Sequence, residues 1–490
     1  MIADADAVPL VLDGTSLTVD GLIAVSTGKL RISVGEESFR SLDDMRLLLV
    51  SARTSGRVYG ANTGVGANRT VAVEAGQGRE DESAAHARRL LLSHCAGAGR
   101  VEDDSTVRAA MVARLNQLLA GGSGISSAVA RGLLEAIGSG SVATIHRSGS
   151  IGTADLAGLA ELALTLTGDR PWRSGGIPPV RFEDTDSLPF MSSSAVTVAA
   201  ASQAVDALKR LLESVLVVAS LSTLALEGSP EPYSHAVHQA LRRPHQAGVA
   251  VAMRRLLEQR PAVESARLQD PFGLRALPQV HAPALDASER LRGALEAELN
   301  GAGENPLITS AGALHHGQFH LATLAAALDT ARAALYPVMS LSAARLAHLF
   351  RPELSRLAPF LASGSSGSSG LMIAEYVAQD VLSVLRTALA PVSGAGVSVS
   401  LGLEEHASFA AQGARLLREM TAEAPIVVAL EAIAAVRALR MAPERLGGGP
   451  AREAFDYLAA GLNPDHADRP LDADLERVLD LLPGLGGFLG

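Results

Sequence analysis

The spacing of apolar positions changes near residue 41. Before it, short apolar runs at Leu10–Leu12, Leu17–Val19 and Leu30–Val34 are separated by Asp-Gly and Thr-Gly turn signals, which predicts short strands. After Ser41 helical spacing takes over. Leu47, Leu48 and Val50 lead into a Gly-rich stretch, GRVYGANTGVGANRT, from Gly56 to Thr70. Such a loop can bring backbone close to a ligand and can move. Helical patterns resume at Glu82, cover Thr106–Ala120 up to Gly121-Gly122 and Ser127–Ile137, and return at Leu156, Leu159, Ala160, Leu162 and Ala163.

Pro171 to Pro189 is irregular and holds four Pro and the sole Trp, Trp172. This stretch sets the expected division into residues 1–185 and a helical remainder, 186–490. Between Pro189 and Pro230 there is no Pro, and Gly occurs only at Gly228; a helix over most of that span would be ~50 Å long at about 1.5 Å per residue. Further helices are expected over Leu285–Leu299, Leu314–Leu349 with a kink or break at Pro337, Met372–Leu389 and Ser408–Leu439. Ser363–Gly370, SGSSGSSG, has the composition of a flexible linker. Long helices with short polar connections predict a mainly α chain built as a bundle.

Composition narrows the function. Apolar residues are 48% and charged residues 19% of 490, enough apolar surface for a large buried core rather than disorder. A net charge of −10 gives no bulk attraction to a nucleic-acid backbone. Aromatic residues are only 3%, so the core is Ala, Leu and Val, which suits close helix packing. The start, MIADADAVPLVLDG, lacks the basic patch of a secretory signal, and no run of about 20 uncharged apolar residues marks a membrane span. A soluble cytoplasmic protein is expected. The single cysteine, Cys95, excludes an internal disulfide. Lys29 and Lys209 are the only lysines, a bias that points to a GC-rich genome.

There is no Walker loop, GxSxG elbow, CxxC pair or dinucleotide fingerprint. His316 and His320 lie four apart in HHGQFH, a spacing that suits metal ligands on one helix face. No third ligand stands nearby, so a pocket role is expected and no metal. A set of separated motifs stands out instead: VYGANTGVG (Val58–Gly66), LLSHCAG (Leu91–Gly97), GSIGTADLAGLAEL (Gly149–Leu162), RRPHQAG (Arg242–Gly248), QDPFGLRALPQV (Gln269–Val280), ELNGAGENPL (Glu298–Leu307), HGQFH (His316–His320), SGLM (Ser369–Met372) and LEEHASF (Leu403–Phe409). In this order, from about Tyr59 to Phe409, they resemble the histidine and phenylalanine ammonia-lyase family, the aromatic amino-acid lyases.

The resemblance implies a mostly helical fold with a central bundle of long helices and an N-terminal active-site domain. It implies a homotetramer whose active sites draw on three subunits, acting on a small molecule with no nucleic acid or membrane partner. An all-round apolar helix needs partners on every side, which agrees with it. The family's reactive group is a methylidene-imidazolone (MIO), made when an internal Ala-Ser-Gly cyclises and loses two waters. The family motif GSxGASGDLxPL here reads Gly149-Ser150-Ile151-Gly152-Thr153-Ala154-Asp155-Leu156-Ala157-Gly158-Leu159, one residue short. Closure on Gly152-Thr153-Ala154 would require Ala to take a glycine conformation and would leave a methyl-blocked alkene. An uncyclised loop, with no MIO and no other cofactor, is therefore expected.

Other positions match the family's pocket. Tyr59 matches the mobile-loop tyrosine of proton transfer, His94 the pocket histidine, and Arg275 the arginine that holds the substrate carboxylate. Asn305, Phe319 and Glu404 match further pocket residues. Ser192 replaces the supporting asparagine, Phe272 a tyrosine, and Leu403 a glutamine; Glu405 stands where the family has aspartate. From these substitutions the expected activity is a MIO-independent acid/base enzyme of secondary metabolism. Tyr59, Glu404 and His94 would move protons, and Arg275 would lower the Tyr59 pKa. The reaction would be cyclisation, isomerisation or dehydration of a polyketide-like intermediate. Two other readings stand beside it: an aromatic amino-acid ammonia-lyase or aminomutase with an unusual cyclised loop, and a non-catalytic scaffold.

Overall fold

The computed structural model describes residues 8–73, 81–262, 267–363 and 366–490. The first seven residues of the N-terminal stretch, and Gly364 and Ser365 of the SGSSGSSG segment, lie outside the described residues. The chain is mainly helical, and among the described residues the strands form three two-stranded pieces. Leu10–Leu12 pairs in parallel with Ile32–Val34, Ala98–Val101 pairs antiparallel with His146–Ser148, and Leu307–Thr309 turns back on Gly312–Leu314. Two of the three strands expected at the start are present. The third, Leu17–Val19, instead opens a helix, Val19–Ser26. Thr18 caps it by accepting the Gly21 N–H, and such a cap fixes the start of a short helix.

Two compact units divide the chain: residues 1–206, 291–329 and 391–415 form one, and 207–290, 330–390 and 416–490 the other. The expected single cut at 185/186 is not where the backbone divides. Four of the divisions fall inside helices, Ala195–Ala225, Leu277–Leu299, Ala322–Leu349 and Ala410–Glu423, which run on across them; the fifth, at 390/391, follows the helix Ile373–Thr387.

In the first unit the helix Asp104–Leu119 is buried on nearly all sides, from Thr106 to Leu119. It packs against Val19–Ser26 and Ser127–Gly138. Asp103 starts it by accepting the Thr106 N–H at 2.9 Å. Its polar residues are turned to use: Asn116 takes the Gly14 N–H and donates to Leu299 O at 2.9 Å, so buried polar atoms are satisfied and tie distant segments together.

In the second unit the helix Pro425–Met441 is equally enclosed. Glu431 at its middle is fully buried and is held by Arg345 at 2.6 and 2.8 Å and by Ser222 and Ser342 hydroxyls, each at 2.6 Å. The helix Ala322–Leu349 runs through Pro337 without a break. Proline removes one helical hydrogen bond; Leu335, Val338 and Met339, all within 1% of full burial, hold the segment in place.

Candidate functional site

Tyr59 sits just after the helix Glu36–Ser55, in the Gly-rich loop picked out from the sequence. Gly60 beside it has φ +71°, and a Cβ there would lie 2.1 Å from Leu188 Cδ2; only glycine lets the loop press this close. The loop folds back so that Gly66 N–H donates to the Tyr59 hydroxyl at 2.7 Å, while Ala67 N–H donates to Ser400 Oγ at 2.9 Å. That second bond ties the tyrosine loop to the segment carrying Leu403 and Glu404. His315 stands edge-on to the tyrosine ring at 6.5 Å.

Burial pushes the Tyr59 phenol above its ordinary value; the Gly66 N–H acts in the opposite sense and the Glu404 charge adds to the rise. The expected lowering does not occur, because no cation outweighs the desolvation. The phenol therefore stays protonated near neutral pH.

Asn305 lines a small cavity with Tyr59 and Glu304. Its Oδ1 accepts the His316 N–H at 3.0 Å, and its own N–H faces Ser192 Oγ at 3.4 Å. Ser192 and Phe319 line a larger cavity of about 390 Å³ with Gln117, Glu298, Glu304 and His316. The structure thus gathers Tyr59, Asn305, Ser192 and Phe319 in one neighbourhood, with Glu404 in electrostatic reach of Tyr59. His94 ends the helix Asp81–His94. Its Nδ1 lies 2.8 Å from Leu90 O, an acceptor, so Nδ1 donates there. Arg275 and Phe272 belong to the second unit. There Arg275 stacks on the Phe272 ring at 4.5 Å, and its buried Nε has no partner among the described residues.

His316 and His320 lie between the strand Gly312–Leu314 and the helix Ala322–Leu349, not on a helix face. His320 Nε2 bonds His406 Nδ1 at 2.9 Å. Among the described residues no cluster of three metal-capable side chains exists.

Two acids of the ELNGAGENPL motif, Glu298 and Glu304, also face the larger cavity. Glu304 is 1% exposed and pairs with Arg114, itself fully buried, at 2.8 Å. Its second oxygen has no partner among the described residues, and neither does His316 Nε2. Glu298 is pushed up to about 7 by burial. Its folded value exceeds the unfolded 4.5, so the folded state holds the extra proton between these limits. The stabilisation is complete below about 4.5 and is lost as pH rises through about 7, by roughly 3 kcal/mol. Urea titrations from pH 5 to 8 should show this decline, and Glu298→Gln should flatten it; an unchanged slope in the variant would assign the decline to other groups.

The loop Gly149–Asp155 is held from several sides. Phe409 N–H donates to Ile151 O at 2.8 Å. Ser408 Oγ donates to Gly152 O at 2.7 Å, and Leu321 N–H reaches the same oxygen at 3.3 Å. A Cβ at Gly152 would lie 2.2 Å from Ser408 Oγ, so a side chain there would push these donors away. Ala154 adopts φ +91°, a conformation that costs an L residue ~1–2 kcal/mol. Asp155 anchors the far end: its carboxylate takes the Thr197 N–H and hydroxyl, both at 2.7 Å. Burial raises its pKa against those bonds.

The model of the family "Aromatic amino acid lyase" matches residues 17–459. Histidine ammonia-lyase of Geobacillus thermodenitrificans is 30% identical, with 96% of each chain covered. Tyrosine aminomutase of Streptomyces globisporus superposes with a TM-score of 0.90 at 25% identity, covering 98% of each chain. Ergothionase of Treponema denticola superposes at 0.91, covering 98% of this chain and 99% of its own, but at 22% identity that likeness carries the fold alone. These matches overturn the expected MIO-independent cyclase. Full-length relatives are named histidine ammonia-lyases, whereas the cyclase reading rested on a shortened motif and codon bias, with no residue that required it. The chain belongs to the aromatic amino acid lyase family of enzymes.

Proposed function

We propose that this protein is an ammonia-lyase or aminomutase acting on an α-amino acid with a polar aromatic ring, histidine being the first substrate to test. The observation that carries the ring polarity is the unsatisfied pair in the 390 Å³ cavity: Glu304 offers a buried, unoccupied acceptor and His316 an unoccupied ring nitrogen. A buried polar atom without a partner is costly, and an imidazole presents both a donor and an acceptor. The names of the full-length relatives support the same substrate class.

Elimination of ammonia needs a proton taken from the β-carbon and one given to the departing amine. The Tyr59 phenol, held protonated by burial, is the donor at the amine. Glu404 is the acid/base partner on the facing segment. His94 is a third proton carrier. Asn305, Phe319, Ser192 and Leu403 orient the substrate; the carboxylate role of Arg275, which stacks on Phe272 in the second unit, is the one the family resemblance implies.

The fold family implies an electrophile made from the loop, and the residues fit one. Ala154 already takes the positive-φ conformation that favours glycine. Thr153 carries a β-hydroxyl, and the Gly152 carbonyl takes two donors. Gly152, Thr153 and Ala154 would hold the group; when formed, it supplies an electrophile that makes the amine a better leaving group.

A site built to hydrogen-bond a polar ring rejects the analogue that lacks the polar atoms by up to ~10⁴–10⁵. Comparing kcat/KM for histidine and phenylalanine should therefore show a preference of at least ~10² for histidine. Equal values would remove the polar-ring reading.

A further inference from the structure

The geometry points to Gly152-Thr153-Ala154 as a self-cyclising triad that yields an ethylidene, not a methylidene, imidazolone, with Ser408 and Leu321 as the groups that activate its closure. This deepens the lyase reading above and rests on it for its purpose, though not for its test.

Ring closure joins Ala154 N to the Gly152 carbonyl carbon. The oxygen of that carbonyl leaves as water, taking the Ala154 N–H proton and the Thr153 N–H proton, and a C=N bond to Thr153 N remains. The second step removes the Thr153 Cα proton and its β-hydroxyl as water and leaves a Cα=Cβ bond. Two waters are lost, and no oxidant or reductant is needed. The methyl of Thr153 stays on the exocyclic carbon.

Each requirement has a residue. The Gly152 oxygen accepts from Ser408 Oγ at 2.7 Å and from Leu321 N–H at 3.3 Å; two donors on one carbonyl stabilise the negative charge that develops when nitrogen attacks. Ser408 is 2% exposed, so this happens out of water, where such donors act more strongly. The Ala154 N–H makes no hydrogen bond among the described residues, so the attacking nitrogen is not tied elsewhere. Ala154 at φ +91° meets the backbone condition that favours glycine. Its flanks are pinned: Asp155 N–H donates to Ser193 O at 2.7 Å, and Ser150 Oγ bonds Ala154 O at 3.3 Å. Backbone strain held by surrounding bonds is found where it serves chemistry. Gly152 has no room for a Cβ, which keeps the two donors seated.

The methyl group has a consequence for rate. It crowds the exocyclic carbon and donates electron density to it, so the alkene is a weaker electrophile. Thr153→Ser removes that methyl and should raise turnover.

The test is intact and peptide mass of the purified full chain. A two-water deficit confined to the peptide spanning Gly149–Asp155 is expected, and in Thr153→Ser the same deficit. Thr153→Ala has no hydroxyl to lose, so its deficit is at most one water. Ser408→Ala, followed by mass over time after synthesis, should mature more slowly, since loss of one such donor typically costs ~10²–10³-fold. A wild-type peptide of full mass overturns the assignment. A two-water deficit in Thr153→Ala also overturns it, because the elimination would then lie on another residue. These masses are independent of the lyase reading: the deficit without turnover of any aromatic amino acid would sink that reading alone, and turnover with full mass would sink this one alone.

Discussion

Replacing Tyr59 by Phe is expected to lower turnover by ~10²–10⁴-fold, the usual contribution of a positioned acid or base. The change removes one oxygen and keeps the ring that packs edge-on to His315. Burial keeps the wild-type phenol protonated, so what disappears is a proton donor, and added buffer base will not replace it. The fold should survive. The Gly66 N–H loses its acceptor at 2.7 Å, a loss of about 1 kcal/mol at a half-buried loop that water can reach. Steady-state kinetics with a thermal melt on the same sample separates the two effects. Wild-type turnover in Tyr59→Phe would show that another group gives the proton.

Glu304→Ala is expected to destabilise the protein by about 3–5 kcal/mol, because it strands a buried guanidinium. Arg114 is fully buried. Without Glu304 it keeps only neutral acceptors: Phe190 O at 3.1 Å, Pro189 O, and Gln117 Oε1 at 3.4 Å. None offsets its charge. Removing both charges behaves differently, since replacing a buried ion pair by apolar residues is often close to neutral. The double change Arg114→Met with Glu304→Leu should therefore recover much of the loss in urea denaturation, while abolishing the polar cavity and with it the preference for a polar ring. A loss below about 1 kcal/mol in Glu304→Ala would mean that water reaches the pair.

The long helices were legible because Ala195–Ala225 and Pro425–Met441 are predominantly apolar over many turns, and no strand of that length occurs in a small sheet. The short helix Val19–Ser26 was not legible, since eight residues give too few turns for a helical period to stand out from strand alternation. Most unit boundaries were hidden for a related reason: all but the one at 390/391 fall inside a continuous helix. In the site, Tyr59 was legible because its flanking glycines announce a loop that must fold back on something. Glu304 was not, because its partner Arg114 is 190 residues away and nothing local distinguishes it from a surface acid. Ser408 escaped for the same reason: it meets Gly152 across 256 residues. The conformation of Ala154 lay beyond any pattern, since sequence statistics favour φ below zero for alanine and only the packed loop forces the exception.

The most direct measurement is proton NMR of the purified protein incubated with histidine. Ammonium and the vinylic signals of the α,β-unsaturated imidazole acid are expected to grow together, or the β-amino acid to appear if the chain is an aminomutase. Tyr59→Phe should show neither on the same timescale. Histidine left unchanged by folded wild-type protein, with tyrosine and phenylalanine likewise untouched, would contradict elimination of ammonia in this pocket.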